Sequence, residues 1–198
     1  AEQLDWMLGQ GVSVSMYMFH GGTNFWYMNG ANTAGGYRPQ PTSYDYDAPL
    51  GEWGNCYPKY YAFREVIQKH LPHGTVLPEV PADNPTTTFA TIELKESAPL
   101  QAAFHQTTES ENVLSMEDLG VDFGYIHYQT TINKAGKQKL IIQDLRDYAV
   151  ILVDGKQVAS LDRRYNQNNV MLDIQKAPAT LEILVENTGR VNYGPDIL

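Results

Sequence analysis

The sequence contains a single cysteine, Cys56, among its 198 residues. One thiol can neither close a disulfide within the chain nor supply a cysteine-rich zinc site, so both kinds of scaffold are excluded. The sequence also lacks an uninterrupted run of about 18 apolar residues, which excludes a membrane-spanning helix of the usual kind. The G-x-S-x-G motif is absent as well, so a serine hydrolase with that nucleophile turn is not expected.

Basic residues are scarce relative to acidic ones. Lys and Arg number 14 and Asp and Glu number 23, which gives a formal net charge of −9 at pH 7. Because neutralising phosphates requires clustered Lys and Arg, neither nucleic acid nor an anionic membrane surface is an expected partner. The histidines and carboxylates show no metal-ligand spacing, and no phosphate-binding glycine motif is present. The sequence therefore predicts no metal and no cofactor.

Aromatic residues are abundant, with 13 Tyr, 6 Phe and 3 Trp, many of them in the first third of the chain. Rings with polar tips suit both hydrophobic cores and sugar-binding sites. The chain begins at Ala1 inside a predicted helix and has no initiator methionine. We therefore expect it to be part of a longer protein.

The first 72 residues show the pattern of an α/β unit. Helical spacing over residues 4–8 ends at Gly9, and residues 12–19 then alternate as in a strand. A glycine- and aromatic-rich loop follows and continues to about Gly54, a length typical of functional loops. A second helix is predicted from Pro58, with apolar residues at helical spacing up to Leu71. This order predicts the C-terminal end of an α/β barrel over residues 1–72.

The rest of the chain has a different character. Four prolines between Pro72 and Pro85 predict a linker over residues 73–88. Residues 89–198 are then expected to form an antiparallel β-sandwich that is incomplete, with Asp154-Gly155 as a hairpin turn. The predicted strands cover residues 88–94, 125–131, 139–142, 149–153 and 181–186.

The densest polar and aromatic segment is 42–49, in which Asp45 and Asp47 alternate with Tyr44 and Tyr46. A glycosidase needs two carboxylates that flank the scissile bond. Two carboxylates only two residues apart would lie on one side of a sugar. We therefore expect Asp45 and Asp47 to accept hydrogen bonds from backbone N–H groups of the loop.

Seven segments carry a resemblance to a known family, and they follow one another in register through nearly the whole chain. They are residues 15–25, 29–32, 42–50, 59–65, 146–149, 153–155 and 184–194. In these segments the sequence resembles the β-galactosidases of glycoside hydrolase family 35.

The resemblance implies a fold, an activity and a location. The fold would be the end of a (β/α)₈ TIM barrel followed by a galactose-binding-like, jelly-roll β-sandwich. The activity would be that of a retaining exo-β-galactosidase, which removes terminal non-reducing β-D-galactose from a β-galactoside substrate. The remainder of the barrel would be a further partner of this chain, and a secreted, periplasmic or lysosomal location is expected.

The resemblance also implies that the catalytic residues lie outside this chain. The family uses two glutamates, an acid/base and a nucleophile, and both are expected upstream of Ala1. Glu2 and Glu52 do not replace them, because Glu2 falls in the helix before the last barrel strand and Glu52 lacks the nucleophile motif. The chain by itself is therefore expected to be inactive.

Two tyrosines match functional positions of the family. Tyr17 matches a tyrosine beside the nucleophile carboxylate, which it would orient, and Tyr46 matches a tyrosine that contacts galactose. Tyr44, Asn24 and Trp26 are further candidates for lining the substrate pocket. For Trp26 the alternative is packing of its loop on the neighbouring domain.

The residues of the β-domain that match the family have structural interpretations. Arg190, which follows Gly189, is expected to join two loops through hydrogen bonds to backbone carbonyls or to a carboxylate. Two alternatives to a glycosidase segment remain open at this point. One is a non-catalytic β-sandwich module that binds galactosides, and the other is a purely structural supporting domain.

Overall fold

The computed structural model describes residues 1–104 and 107–197, and the chain forms two compact units. The first unit comprises Ala1–Thr23 and Ser43–Glu109, and the second comprises Asn24–Thr42 and Ser110–Leu198. The loop segment from Asn24 to Thr42 therefore belongs with the β-rich part of the chain, although it lies between two stretches of the first unit in sequence.

The first unit contains the two helices that the sequence predicts, α1 (Glu2–Gly9) and α2 (Pro58–His70). Pro58 occupies the first turn of α2, where its missing N–H has no intrahelical acceptor to lose. The helices pack against each other, and the carboxylate of Asp5 contacts Lys69, at 2.7 Å, and His70. Hydrogen bonds from these two side chains lower the pKa of Asp5.

The strand predicted for residues 12–19 is not formed. Residues 12–16 have no regular structure, and Tyr17 and Met18 lie in a turn. A strand requires backbone hydrogen bonds to a neighbour, and no described segment pairs with residues 12–16. His20 alone forms an isolated parallel bridge, to Leu50.

The strand predicted for residues 88–94 is also wrong. This stretch is irregular and exposed, with Leu94 at 91% exposure and Phe89 at 78%. Alternation of apolar residues had suggested a strand, but no partner strand buries them in the described part of the chain. A short 3₁₀ helix follows at Leu100–Ala103. None of the helices described is long and apolar enough to cross a membrane.

The second unit is built from three sheets. A four-stranded antiparallel sheet has the order β3-β8-β5-β6, and β4 pairs with β7 in a separate antiparallel ladder. In the third sheet β1 lies between β2, to which it is antiparallel, and β9, to which it is parallel. The strands are β1 (Gly30–Asn32), β2 (Arg38–Pro39), β3 (Gly124–Ile132), β4 (Gly136–Ile141), β5 (Tyr148–Val153), β6 (Lys156–Asp162), β7 (Asn169–Ile174), β8 (Ala179–Asn187) and β9 (Arg190–Tyr193).

The hairpin predicted at Asp154-Gly155 joins β5 to β6. Val153 pairs with Lys156 across the turn, and both turn residues have positive φ, 49° at Asp154 and 73° at Gly155. Such angles match the right-handed twist of the two strands, and Asp-Gly tolerates them well. The hairpin prediction is confirmed.

A hydrophobic cluster in the second unit joins two of its sheets. Ile151 and Val185 contribute from the four-stranded sheet, and Leu172 and Ile174 contribute from β7 of the two-stranded sheet. Ile151 and Ile174 are almost completely buried, at 0% and 2% exposure. Apolar burial of this kind is the main favourable term for folding, so both sheets depend on the same core.

A buried carboxylate lies next to this core. Asp147, at 2% exposure, accepts a hydrogen bond at 2.8 Å from Nη1 of Arg163 and one at 2.9 Å from the backbone N–H of Thr188. The Thr188 hydroxyl, at 3.4 Å, and Nδ2 of Asn187, at 3.3 Å, also donate to it. Asp147 therefore connects the start of β5 with the turn after β6 and the turn between β8 and β9.

The loop segment of the second unit is attached to this same region. The Tyr37 hydroxyl donates to the Gly189 carbonyl at 2.7 Å, and the Arg163 guanidinium lies over the Tyr37 ring, 4.2 Å from its centroid. Burial raises the pKa of Tyr37, which stays protonated as a donor. Asn29 adds a hydrogen bond at 2.8 Å to the Thr188 carbonyl. The loop is thus a structural part of the β-domain.

Arg190 has the role that the sequence predicts. Its Nε donates at 2.7 Å to the Asp122 carbonyl, and its Nη1 contacts the Glu117 carboxylate. The Arg190 guanidinium accordingly lowers the pKa of Glu117. Through this carbonyl and this carboxylate, Arg190 ties the start of β9, directly after the turn from β8, to the loop before β3.

We expect Asp147→Asn to lower the free energy of unfolding of the second unit by about 3 kcal/mol, because Arg163 would be left without its charged partner. Asp144→Asn is the matched control, since the Asp144 side chain is 88% exposed and lies 3.8 Å from Arg146. Urea unfolding followed by circular dichroism measures both variants. Equal stabilities of the two variants would contradict the role given to Asp147.

Candidate functional site

The candidate site lies in the first unit, where two segments of the long loop run side by side. One contains Gly22 and Thr23 and the other contains Ser43 and Tyr44, and we call them the two arms of the loop. The Tyr44 N–H donates to the Gly22 carbonyl at 3.0 Å, and Thr23 forms an antiparallel bridge with Ser43. Gly21 is required for this approach, because a Cβ there would lie 1.6 Å from the Tyr44 carbonyl oxygen. The sequence places Tyr44 and Tyr46 directly after this crossing.

A third segment joins the two arms. The carboxylate of Glu52 accepts a hydrogen bond from the Thr23 hydroxyl at 2.9 Å and contacts the Ser43 hydroxyl with its other oxygen. Nε2 of His20 lies 3.2 Å from the Glu52 carbonyl. Glu52 is thus engaged in holding the loop.

The aspartates of this segment also have structural partners. Asp45 accepts a hydrogen bond at 3.0 Å from the Asp47 backbone N–H and one at 2.9 Å from the Tyr57 hydroxyl. The hydrogen bond to Asp45 raises the pKa of Tyr57. Asp47 pairs with Lys59 at the start of α2. The contact expected between a loop carboxylate and a backbone N–H is therefore present at Asp45.

Three of the predicted site residues come together. The rings of Tyr44 and Tyr46 lie 4.8 Å apart at an angle of 57°. A hydrogen bond with the Tyr17 phenol, followed by partial burial, raises the pKa of Tyr44. Tyr17 and Tyr46 are open to solvent, at 88% and 72% exposure. We call Tyr17, Tyr44 and Tyr46 the tyrosine cluster.

The backbone of the cluster adopts a conformation that is unusual for these residue types. Tyr46 has φ of 55° and Asp47 has φ of 51°, in the left-handed region. For a residue other than glycine this costs about 1 kcal/mol or more, and it persists only where surrounding contacts fix it. Asp45 and Lys59 supply such contacts on either side. The backbone that carries the exposed Tyr46 ring is therefore fixed by its neighbours.

Asn24 and Trp26, the other two candidates, belong to the second unit. Asn24 donates from Nδ2 to the Pro41 carbonyl at 2.9 Å and from its backbone to the Thr42 carbonyl at 2.7 Å. The Trp26 ring is 78% exposed and lies 6.0 Å from the Phe123 ring. Packing of the loop on the β-domain, the alternative given for Trp26, is therefore observed.

The helix predicted to contain Glu2 is present, whereas the contacts of Glu52 are not predicted by the sequence. Glu2 lies in the first turn of α1, and Glu52 holds the two arms of the loop. Within residues 1–104 and 107–197, no three His, Cys, Asp or Glu side chains are grouped so that they could hold a metal ion.

Two family models match the chain, one for each part. Residues 1–70 match the model described as "Glycosyl hydrolases family 35", and residues 113–198 match the one described as "Beta-galactosidase, first all-beta domain". The first match includes the tyrosine cluster and both helices, and the second includes strands β3 to β9. These matches define a class of protein in which part of a glycosidase domain is followed by an all-β domain.

The curated relatives of this chain are named β-galactosidase. A β-galactosidase of Xanthomonas manihotis is 42% identical over 98% of this chain, one of Mus musculus 43% over 95%, and one of Homo sapiens 38% over 95%. The aligned regions cover 33%, 30% and 28% of those proteins, so the chain spans about a third of the length of these relatives. Residues 1–70 are therefore similar to glycosyl hydrolases of family 35, and the chain as a whole is similar to one segment of these β-galactosidases.

Sequence reasoning did not predict the residues that hold the tyrosine cluster in place. Thr23, Ser43 and Glu52 are far apart in sequence and each has an ordinary side chain. Tyr57 precedes a predicted helix, and nothing in the sequence indicates that its hydroxyl donates to Asp45. The one local signal was Gly21 next to Gly22, since paired glycines after a predicted strand indicate a close backbone approach.

We expect Tyr17→Phe to shift the titration of Tyr44 down towards the ordinary tyrosine value, because the hydrogen bond with the Tyr17 phenol is the largest cause of its raised pKa. Carbon-13 NMR of ring-labelled tyrosine measures this titration, with Tyr44→Phe used to assign the signal. Tyr61→Phe on α2 serves as the control. An unaltered Tyr44 titration in Tyr17→Phe would refute the contact.

Proposed function

We propose that this chain is a segment of a retaining exo-β-galactosidase that hydrolyses terminal non-reducing β-D-galactose residues. In this proposal the chain supplies tyrosine side chains that bind the substrate, and the two catalytic glutamates lie upstream. The tyrosine cluster carries the proposal, because it presents polar-tipped aromatic rings to solvent within the part of the chain that matches the glycosidase model.

The chemistry of tyrosine suits the roles assigned to the cluster. A phenol donates and accepts hydrogen bonds, and its ring packs against the C–H faces of a sugar. Tyr46 would contact the galactose hydroxyls. Tyr17 would donate to the nucleophile carboxylate, keeping it oriented and stabilising its charge before attack on the anomeric carbon. Tyr44 would line the same pocket.

The proposal includes an arrangement of domains. Residues 1–72 would complete a (β/α)₈ barrel with the remainder of that barrel, residues 73–88 would be the linker, and residues 89–198 would form part of a galactose-binding-like β-sandwich. The shared core of the four-stranded and two-stranded sheets supports a layered β-domain. A secreted, periplasmic or lysosomal location completes the proposal.

We expect Tyr46→Phe in the full-length enzyme to reduce kcat/KM for an aryl β-galactoside by roughly tenfold or more, the effect of one lost hydrogen bond in the transition state. The control is Tyr61→Phe, which removes a hydroxyl from α2 and should leave kcat/KM unchanged. Steady-state kinetics of both variants measures the difference. Unchanged kinetics in Tyr46→Phe would remove this residue from the site.

We expect the chain alone to show no hydrolysis of the same galactoside, because a double displacement needs both an acid/base and a nucleophile. The full-length protein is the positive control, and replacing each of its two barrel glutamates by glutamine should abolish the activity. Hydrolysis by the chain alone would contradict the upstream position of these glutamates. A full-length protein that binds galactose without hydrolysing it would instead favour the non-catalytic binding module.

A further inference from the structure

We propose that Glu52 is a positioning residue for the tyrosine cluster, acting through the hydroxyls of Thr23 and Ser43. The inference rests on the proposed function in so far as the cluster binds a galactoside. It concerns a carboxylate that performs no step of the chemistry and that is next to none of the three tyrosines in sequence.

The geometry of the carboxylate is the first argument. One oxygen accepts from the Thr23 hydroxyl at 2.9 Å, and the other contacts the Ser43 hydroxyl. Thr23 and Ser43 are the bridged residues at which the two arms of the loop cross. A carboxylate has two acceptor oxygens and can therefore bind both hydroxyls at once, with charge-assisted hydrogen bonds.

Glu52 itself is held firmly. The Leu50 N–H donates to the Phe19 carbonyl at 3.1 Å, and the Gly51 N–H donates to the Asn55 carbonyl at 2.9 Å. Gly51 is buried, and a Cβ there would lie 2.8 Å from the Tyr57 ring. The turn that carries Glu52 therefore has little freedom, and it can act as a fixed support.

The two arms lead directly to the tyrosines. Ser43 precedes Tyr44 in the chain, and the Tyr44 N–H donates to the Gly22 carbonyl, one residue before Thr23. If the arms separated, Tyr44 would lose its backbone partner, and its phenol would no longer meet Tyr17. Displacements of about 1 Å at a binding site can cost large factors in rate, so such support has functional weight.

The test uses the full-length enzyme with ring-labelled tyrosine and three variants. Glu52→Ala removes both acceptors, Glu52→Gln keeps the shape and one acceptor, and Glu79→Ala removes an exposed carboxylate as the control. We expect Glu52→Ala to move the Tyr44 titration towards its ordinary value and to lower kcat/KM roughly tenfold. Glu52→Gln should restore most of both, and Glu79→Ala should change neither.

The two readouts separate this inference from the proposed function. A Tyr44 titration that is unchanged in Glu52→Ala would overturn the positioning role, whatever the enzyme hydrolyses. A shifted titration in a protein without galactosidase activity would support the positioning role and refute the proposed function. If Glu52→Ala does not fold, the double variant Thr23→Val, Ser43→Ala removes the same two hydrogen bonds without leaving a cavity at Glu52. A wild-type titration in that variant would equally overturn the inference.

Discussion

The second unit depends on one buried carboxylate. A carboxylate at 2% exposure is costly unless it is paired and hydrogen-bonded, and Asp147 finds donors in Arg163, Asn187 and Thr188. These donors come from different turns, so the turns must assemble together for the charge to be satisfied. Arg163 then stacks on Tyr37, which brings the segment from Asn24 to Thr42 into the same assembly. The β-domain consequently includes the segment from Asn24 to Thr42.

The first unit also contains irregular backbone that carboxylates stabilise, over a shorter stretch of chain. Its long loop leaves Tyr46 and Trp53 exposed, and hydrogen bonds to carboxylates order its backbone instead. Asp45 closes a short turn and receives the Tyr57 hydroxyl, while Glu52 joins Thr23 to Ser43. In both units, therefore, acidic side chains organise irregular backbone. Some of the acidic residues that outnumber the basic ones therefore stabilise loops and turns.

Local signals predicted the elements that local physics determines. The start of α2 at Pro58 and the Asp154-Gly155 hairpin both follow from backbone preferences within a few residues, and both are present. The strands predicted over 12–19 and 88–94 are absent. Alternating apolar and polar residues indicate that a segment has one apolar face, but a strand also needs a neighbouring strand for its backbone hydrogen bonds. The support provided by Glu52 escaped prediction for a similar reason, since it joins residues 29 and 9 positions away. The tyrosines of the candidate site came from a family resemblance, and the structure brings Tyr17, Tyr44 and Tyr46 together.

The exposure of the tyrosine cluster has a physical consequence for binding. Rings that are 72% and 88% exposed contribute little to stability, yet Tyr46 is kept in a left-handed conformation that costs free energy. Strained residues of this kind cluster at functional sites, and here contacts of Asp45 and Lys59 hold the backbone next to the strained residue. In the proposed function, a Tyr46 backbone that is fixed before a sugar binds would lose less conformational entropy on binding. The hydrogen bonds of Asp45 and Glu52 would then contribute to affinity through the loop, without contact between either carboxylate and the ligand.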